Sequence, residues 1–168
     1  SAGRNPAAFS EIRRALKLNP NDLDLLIAGA TFAKQTGEIE QIRFYVQELI
    51  NRYPNDPGVR QFVQEFNQWM QNSKTFQYQG HSLFTKQMGD GKELLLIHGF
   101  PTSSLDWQLL WPELSQHFSL HTIDMLGFGL SDKPKNYDYS VHASTDQWQA
   151  YVLSQGLTDV FILAHDYG

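Results

Sequence analysis

The sequence predicts an α/β chain in two parts: an all-helical stretch, then strands that alternate with helices. Three observations predict it. Residues 7–72 place their apolar side chains at helical spacing only. Residues 75–168 switch to short apolar runs separated by turn signals. The chain also carries an apolar run, Val160-Phe161-Ile162-Leu163, that leads straight into Ala164-His165-Asp166-Tyr167-Gly168. That last segment reads as a strand entering a tight turn. The stretch Gln71-Asn72-Ser73-Lys74 is the expected junction, giving a helical segment over 1–72 and an α/β segment over 73–168.

Composition narrows the function classes. Lys and Arg number 13 against 18 Asp and Glu, a net charge of -5 that argues against nucleic acid as a main partner. Cysteine is absent, which excludes a disulfide framework, a thiolate metal site and a Cys nucleophile. No metal and no cofactor is expected from the motifs. No apolar run reaches membrane-spanning length, and the first residues show no charged-then-apolar leader pattern. Cytoplasmic residence is the default expectation.

In the first part, Asn19-Pro20-Asn21-Asp22 returns as Tyr53-Pro54-Asn55-Asp56, 34 residues later. Between these turns the spacing predicts helices over 23–35 and 38–52, with Gly37 at the turn between them. Leu26, Ala30 and Ala33 share one face of the first, and Ile42, Val46, Leu49 and Ile50 one face of the second. Further helices are expected over 7–18 and 57–72. The segment 23–56 resembles a tetratricopeptide repeat, although Ile42 stands where that family prefers a small residue. The resemblance implies a possible peptide or protein partner. The aromatics Phe44, Tyr45, Phe62, Phe66 and Trp69 are read as packing rather than as a peptide groove, and Arg13-Arg14 as a solvated helix face.

In the second part, 75–79 and 83–87 alternate around Gly80-His81 and predict a hairpin. Residues 93–97 predict a buried strand, 106–118 a helix interrupted at Pro112, and 119–123 a strand. Residues 145–155 predict a helix with Ser144 as its cap and Gln147 completing a capping box. Strands alternating with helices imply parallel pairing through right-handed crossovers.

The candidate site follows from three turns. His98-Gly99-Phe100-Pro101 leaves the first central strand, and Asp124-Met125-Leu126-Gly127-Phe128-Gly129 leaves the next. His165-Asp166-Tyr167-Gly168 leaves the third. A small-x-nucleophile-x-Gly turn after a strand lifts one side chain clear of the sheet. Here that side chain is the Asp166 carboxylate, which can attack carbon without first losing a proton and so form an ester with the protein. Such an attack leaves negative charge on oxygen, which preset backbone N–H groups stabilise. Gly99 lets the first loop come close, and Pro101 stiffens it.

In this order and spacing, the motifs resemble the N-terminal half of an epoxide-hydrolase-type α/β-hydrolase. Thr102-Ser103-Ser104, Leu126-Gly127-Phe128-Gly129 and the Tyr after the nucleophile are most similar to the mesoderm-specific-transcript-like branch. The resemblance implies Asp166 as nucleophile and the backbone N–H groups of Phe100 and Tyr167 as the oxyanion hole. His98, Gly99, Pro101 and His165 are implied in support. It also implies a small apolar substrate, an epoxide or ester. In the family, lid tyrosines protonate the opened epoxide, and a later His held by a second acid activates water. None of these is in the sequence, so the 168 residues are expected to be part of a longer hydrolase and inactive alone.

Asp124 and Asp132 are read as loop-fixing residues. His81, His117, His121 and His142 are read as surface or strand-end residues. Haloalkane dehalogenases usually carry Trp after the nucleophile and often Asn after His-Gly; Tyr167 and Phe100 stand there, which favours epoxide hydrolysis. A different class remains open: a non-catalytic interaction protein whose helices recruit a partner.

Overall fold

The computed structural model describes residues 5–166, with only the backbone of Asn5, Pro6 and Ile39. Packing divides the chain into two units, one ending at Trp69 and one beginning at Met70.

The first unit is four helices of 14 residues each: α1 (Asn5–Leu18), α2 (Leu23–Thr36), α3 (Ile39–Arg52) and α4 (Pro57–Met70, whose last residue falls in the second unit). The two repeated turns work alike. Asp22 caps α2 by accepting from the Leu25 N–H at 3.0 Å, and Asp56 accepts from the Val59 N–H at 2.9 Å at the start of α4. Gly37 ends α2 with φ 68°, the left-handed conformation in which glycine carries no Cβ penalty. Arg52 donates to the Pro20 carbonyl at 2.7 Å and to Asn21 Oδ1 at 2.9 Å, tying the end of α3 to the first turn. Leu26, Ala30, Ala33, Ile42 and Leu49 are buried, as their spacing predicts. Ile50 departs from the predicted face and is 39% exposed. Among the aromatics, Tyr45, Phe66 and Trp69 are buried, whereas Phe44 is exposed.

The second unit is a five-stranded sheet. Its strands are β1 (Ser73–Tyr78), β2 (His81–Met88), β3 (Lys92–Ile97), β4 (Phe118–Ile123) and β5 (Val160–Ala164), in the order β1-β2-β4-β3-β5. β3 pairs in parallel with β4 and with β5, with Glu93 opposite Val160 and Ile97 opposite Ala164. β2 runs antiparallel to both β1 and β4, so the sheet is mixed rather than wholly parallel.

The predicted helix over 106–118 is instead a 3-10 turn (Ser104–Trp107) and a one-turn helix, α5 (Trp111–Leu114). Its two indoles explain the break: Trp107 and Trp111 are both buried, and Pro112 sits in the short α5. The last helix, α6 (Val141–Ser154), is capped by Ser140, which accepts from the Ala143 N–H at 3.2 Å. Ser144 lies inside it. α6 contributes Trp148 and Tyr151 to a core with Tyr78, Leu83, Leu95, Ile123, Met125 and Leu126. Period-two alternation sends Leu94, Leu96 and Leu120, also buried, to the opposite face. Among the described residues, no helix is long and apolar enough to cross a membrane.

Candidate functional site

β3 and β5 are neighbours, so the loops that leave them meet. Asp166 leaves β5 with φ 54°, in the left-handed region, which is uncommon for a residue bearing a Cβ although Asp adopts it more readily than most. Its side chain is exposed. Gly99, at the end of β3, is buried against it. A Cβ at position 99 would lie 2.8 Å from the Asp166 Cβ and 3.0 Å from the His165 carbonyl oxygen. Only hydrogen fits there.

The Gly99–Phe100 peptide is oriented by its carbonyl. The Met125 N–H donates to His98 Nε2 at 3.0 Å, which leaves the imidazole proton on Nδ1. That Nδ1–H donates to the Gly99 carbonyl at 3.0 Å, and the Thr102 N–H donates to the same oxygen at 3.2 Å. The Thr102 hydroxyl also lies 3.1 Å from this oxygen, within reach of both it and Asp106 Oδ2. In a trans peptide the N–H points opposite to the C=O, so the bonds on Gly99 O also set the direction of the Phe100 N–H. His98 is fully buried and spends both nitrogens on these bonds. The Phe100 ring is 55% exposed and meets the Phe128 ring edge-on, with centroids 6.1 Å apart. Pro101 follows in the same loop and is exposed.

The loop after β4 forms the underside of the first loop. Asp124 is buried, and its carboxylate accepts from the Ser104 N–H at 2.8 Å and the Leu130 N–H at 2.7 Å. Asp132 accepts from the Ser82 N–H at 2.7 Å. Both side chains fix loops, and neither donates to Asp166. Gln147 of α6 is buried, and its Oε1 accepts from the Leu126 N–H at 2.7 Å. His165 Nε2 lies 2.9 Å from Asp106 Oδ2, and the Trp107 ring stands edge-on to the imidazole at 5.4 Å. Tyr167, the other expected oxyanion donor, and Gly168 lie outside the described residues.

His121 is not a surface residue. It is fully buried on β4, with Nε2 2.6 Å from Glu93 Oε2 and Nδ1 3.0 Å from the Tyr151 hydroxyl. Thr85 Oγ1 donates to that hydroxyl at 3.2 Å. Burial pushes the Tyr151 phenol above its ordinary value, and the Glu93 charge adds to the shift. The signal available in the sequence was position: His121 falls in the middle of an apolar strand, between Leu120 and Ile123. Among the described residues no cluster of side chains is arranged to hold a metal ion.

Comparison with known proteins bears on the fold of this unit. Residues 92–168 match the family model described as alpha/beta hydrolase fold. This part of the chain has an alpha/beta hydrolase fold. The human mesoderm-specific transcript homolog protein is 36% identical over 107 residues, covering 60% of this chain and 32% of that protein. Mouse epoxide hydrolase 3 is 32% identical over 81 residues, covering 48% of this chain and 22% of that protein. A solved haloalkane dehalogenase, the DbeA-M1 loop variant from Bradyrhizobium elkanii, superposes with a TM-score of 0.54 at 26% identity, covering 57% of this chain and 32% of that one. The chain thus spans a third or less of the curated relatives named here. Epoxide hydrolases and haloalkane dehalogenases both stand among the relatives of this alpha/beta hydrolase segment.

Proposed function

We propose that the alpha/beta hydrolase unit serves an epoxide-hydrolase-type reaction with Asp166 as nucleophile. The observation that carries the reading is the Asp166 backbone: an exposed carboxylate held at φ 54°, pressed against a loop glycine that admits no side chain. A carboxylate oxygen attacks a ring carbon, the carbon–oxygen bond breaks, and its electron pair passes to the former ring oxygen, which takes a proton. The product is an ester on Asp166. In the second half-reaction water adds to the ester carbonyl and gives up a proton, with the N–H groups of Phe100 and Tyr167 proposed as donors to the oxyanion. The adduct then collapses, the bond to the diol oxygen breaks, that oxygen takes the proton, and the Asp166 carboxylate is restored. One such donor typically contributes about 3–4 kcal/mol to lowering the barrier. The Phe100 and Phe128 rings beside this point favour a small apolar substrate. Tyr167 and Phe100, where dehalogenases usually place Trp and Asn, favour the epoxide over a haloalkane.

His98 spends both ring nitrogens on the Met125 N–H and the Gly99 carbonyl, His121 is buried with both of its own on Glu93 and Tyr151, and His165 stands immediately before the nucleophile with Nε2 on Asp106. We expect the 168 residues to form the ester without cleaving it efficiently. Mass spectrometry after incubation with styrene oxide tests this. The expected result is at most one adduct per chain, on Asp166, absent in Asp166→Ala, with no diol above background. Labelling elsewhere, or none on folded protein, overturns the nucleophile. Sustained turnover abolished by Asp166→Ala overturns the expected arrest at the ester.

A further inference from the structure

We infer that Asp106 is a positioning residue for the elbow and acts through His165. The inference deepens the proposed function and rests on Asp166 being the nucleophile. Asp106 lies in the 3-10 turn Ser104–Trp107, well removed from the elbow in sequence. Its Oδ2 atom faces His165 Nε2 at 2.9 Å and also accepts from the Thr102 hydroxyl. Thr102 in turn donates its N–H to the Gly99 carbonyl. A continuous path therefore joins the peptide that carries the Phe100 N–H to the residue immediately before Asp166. It runs from Gly99 through Thr102 and Asp106 to His165.

Each end of this path is anchored separately. The 3-10 turn is fixed by the Ser104 N–H on Asp124 and by the buried Trp107 ring, which also stands against the His165 imidazole. The elbow end carries the less common backbone, φ 54° at Asp166, which has extended and right-handed alternatives to relax into. A hydrogen bond at residue 165 resists that relaxation and keeps the carboxylate in register with the loop beside it. Neutral His165 must carry its proton on Nε2 to make this bond, so the path also fixes the tautomer.

Both donors converge on one oxygen. The role of Asp106 is accordingly that of an acceptor, and its charge is not required. An amide oxygen in the same place accepts from both Thr102 and His165, whereas a methyl accepts from neither.

The test uses the 168-residue chain labelled with nitrogen-15 at histidine, at a pH where histidine is neutral. Nuclear magnetic resonance reads the His165 tautomer, and styrene oxide reads Asp166 by mass spectrometry. Wild type and Asp106→Asn should both hold His165 with its proton on Nε2 and label at equal rates. Asp106→Ala should show mixed tautomers at His165 and label at least ten-fold more slowly. In all three the His98 ring should keep its proton on Nδ1, which reports that the fold is intact. The inference is overturned if Asp106→Ala keeps the tautomer and the rate, or if Asp106→Asn loses them. Absence of labelling in wild type sinks the nucleophile reading instead, and the tautomer measurement still decides whether Asp106 holds His165.

Discussion

Gly99 and Lys86 show how single residues set the behaviour of the second unit. Gly99→Ala places a methyl 2.8 Å from the Asp166 Cβ, with the His165 carbonyl oxygen at 3.0 Å and the His165 ring at 3.1 Å as its other neighbours. Overpacking of this kind costs about 1–3 kcal/mol. The variant should melt at a lower temperature and lose styrene oxide labelling, as calorimetry and mass spectrometry would show. Lys86 is buried on β2, donates to the Gln71 carbonyl at 2.6 Å and lies over the Trp111 ring. Desolvation lowers its ammonium from 10.5 to about 8. Between these values the unfolded chain binds more protons than the folded one, so stability from this group rises with pH. The cost of burying the charge is full below about pH 8 and is relieved as the pH approaches 10.5. Lys86→Met should therefore raise the melting temperature at pH 7, and the gain should shrink by pH 10. A constant difference across that range would contradict the assignment. At this scale the sequence is legible where one residue answers one local demand, as at Gly37, whose left-handed backbone ends α2. His121 and Asp106 were not legible, because the partners that define them, Glu93, Tyr151 and His165, arrive from other elements.

Elements were legible where their pattern is local. The four helices and five strands follow from spacing, whereas the 106–118 segment does not. Its apolar residues suit a helix, yet burying two indoles there breaks the segment into two short turns. The start of α6 was misplaced because Ser144 and Gln147 spell a capping box. Gln147 instead spends its side chain on the loop after β4, and Ser140 makes the cap. β5 behaves as an edge. Among the described residues it pairs only with β3, and Phe161, Ile162 and Leu163 are 51%, 61% and 37% exposed. An apolar strand with an unpaired edge promotes association. Sedimentation should show self-association that grows with concentration, and Ile162→Lys should reduce it. A monomer at every concentration would refute this.

At the level of the whole molecule the chain is two units with different grammar. The helical one is organised by the 34-residue interval between Asp22 and Asp56, whose side chains make the same cap. The other is organised by a mixed five-stranded sheet in which the segments leaving β3 and β5 meet at Gly99 and Asp166. We propose a domain boundary at the change of grammar near residue 73, next to the division between Trp69 and Met70. Limited proteolysis should cut first within 72–75, or within 88–92 at the Gly89-Asp90-Gly91 turn. Early cutting inside α3 would argue against independent units.

The tight approach of the first loop to the elbow has a consequence for how such a site can diversify. Gly99 meets the Asp166 Cβ, the His165 carbonyl oxygen and the His165 ring, and of these only the Cβ, an atom that almost every residue type shares, belongs to position 166. What lies beyond that Cβ is not gripped by the loop glycine. Exchange of the carboxylate for a hydroxyl or a thiol would leave this contact as it is. The scaffold can therefore change the chemistry at position 166 by one substitution, without a compensating change in the loop beside it.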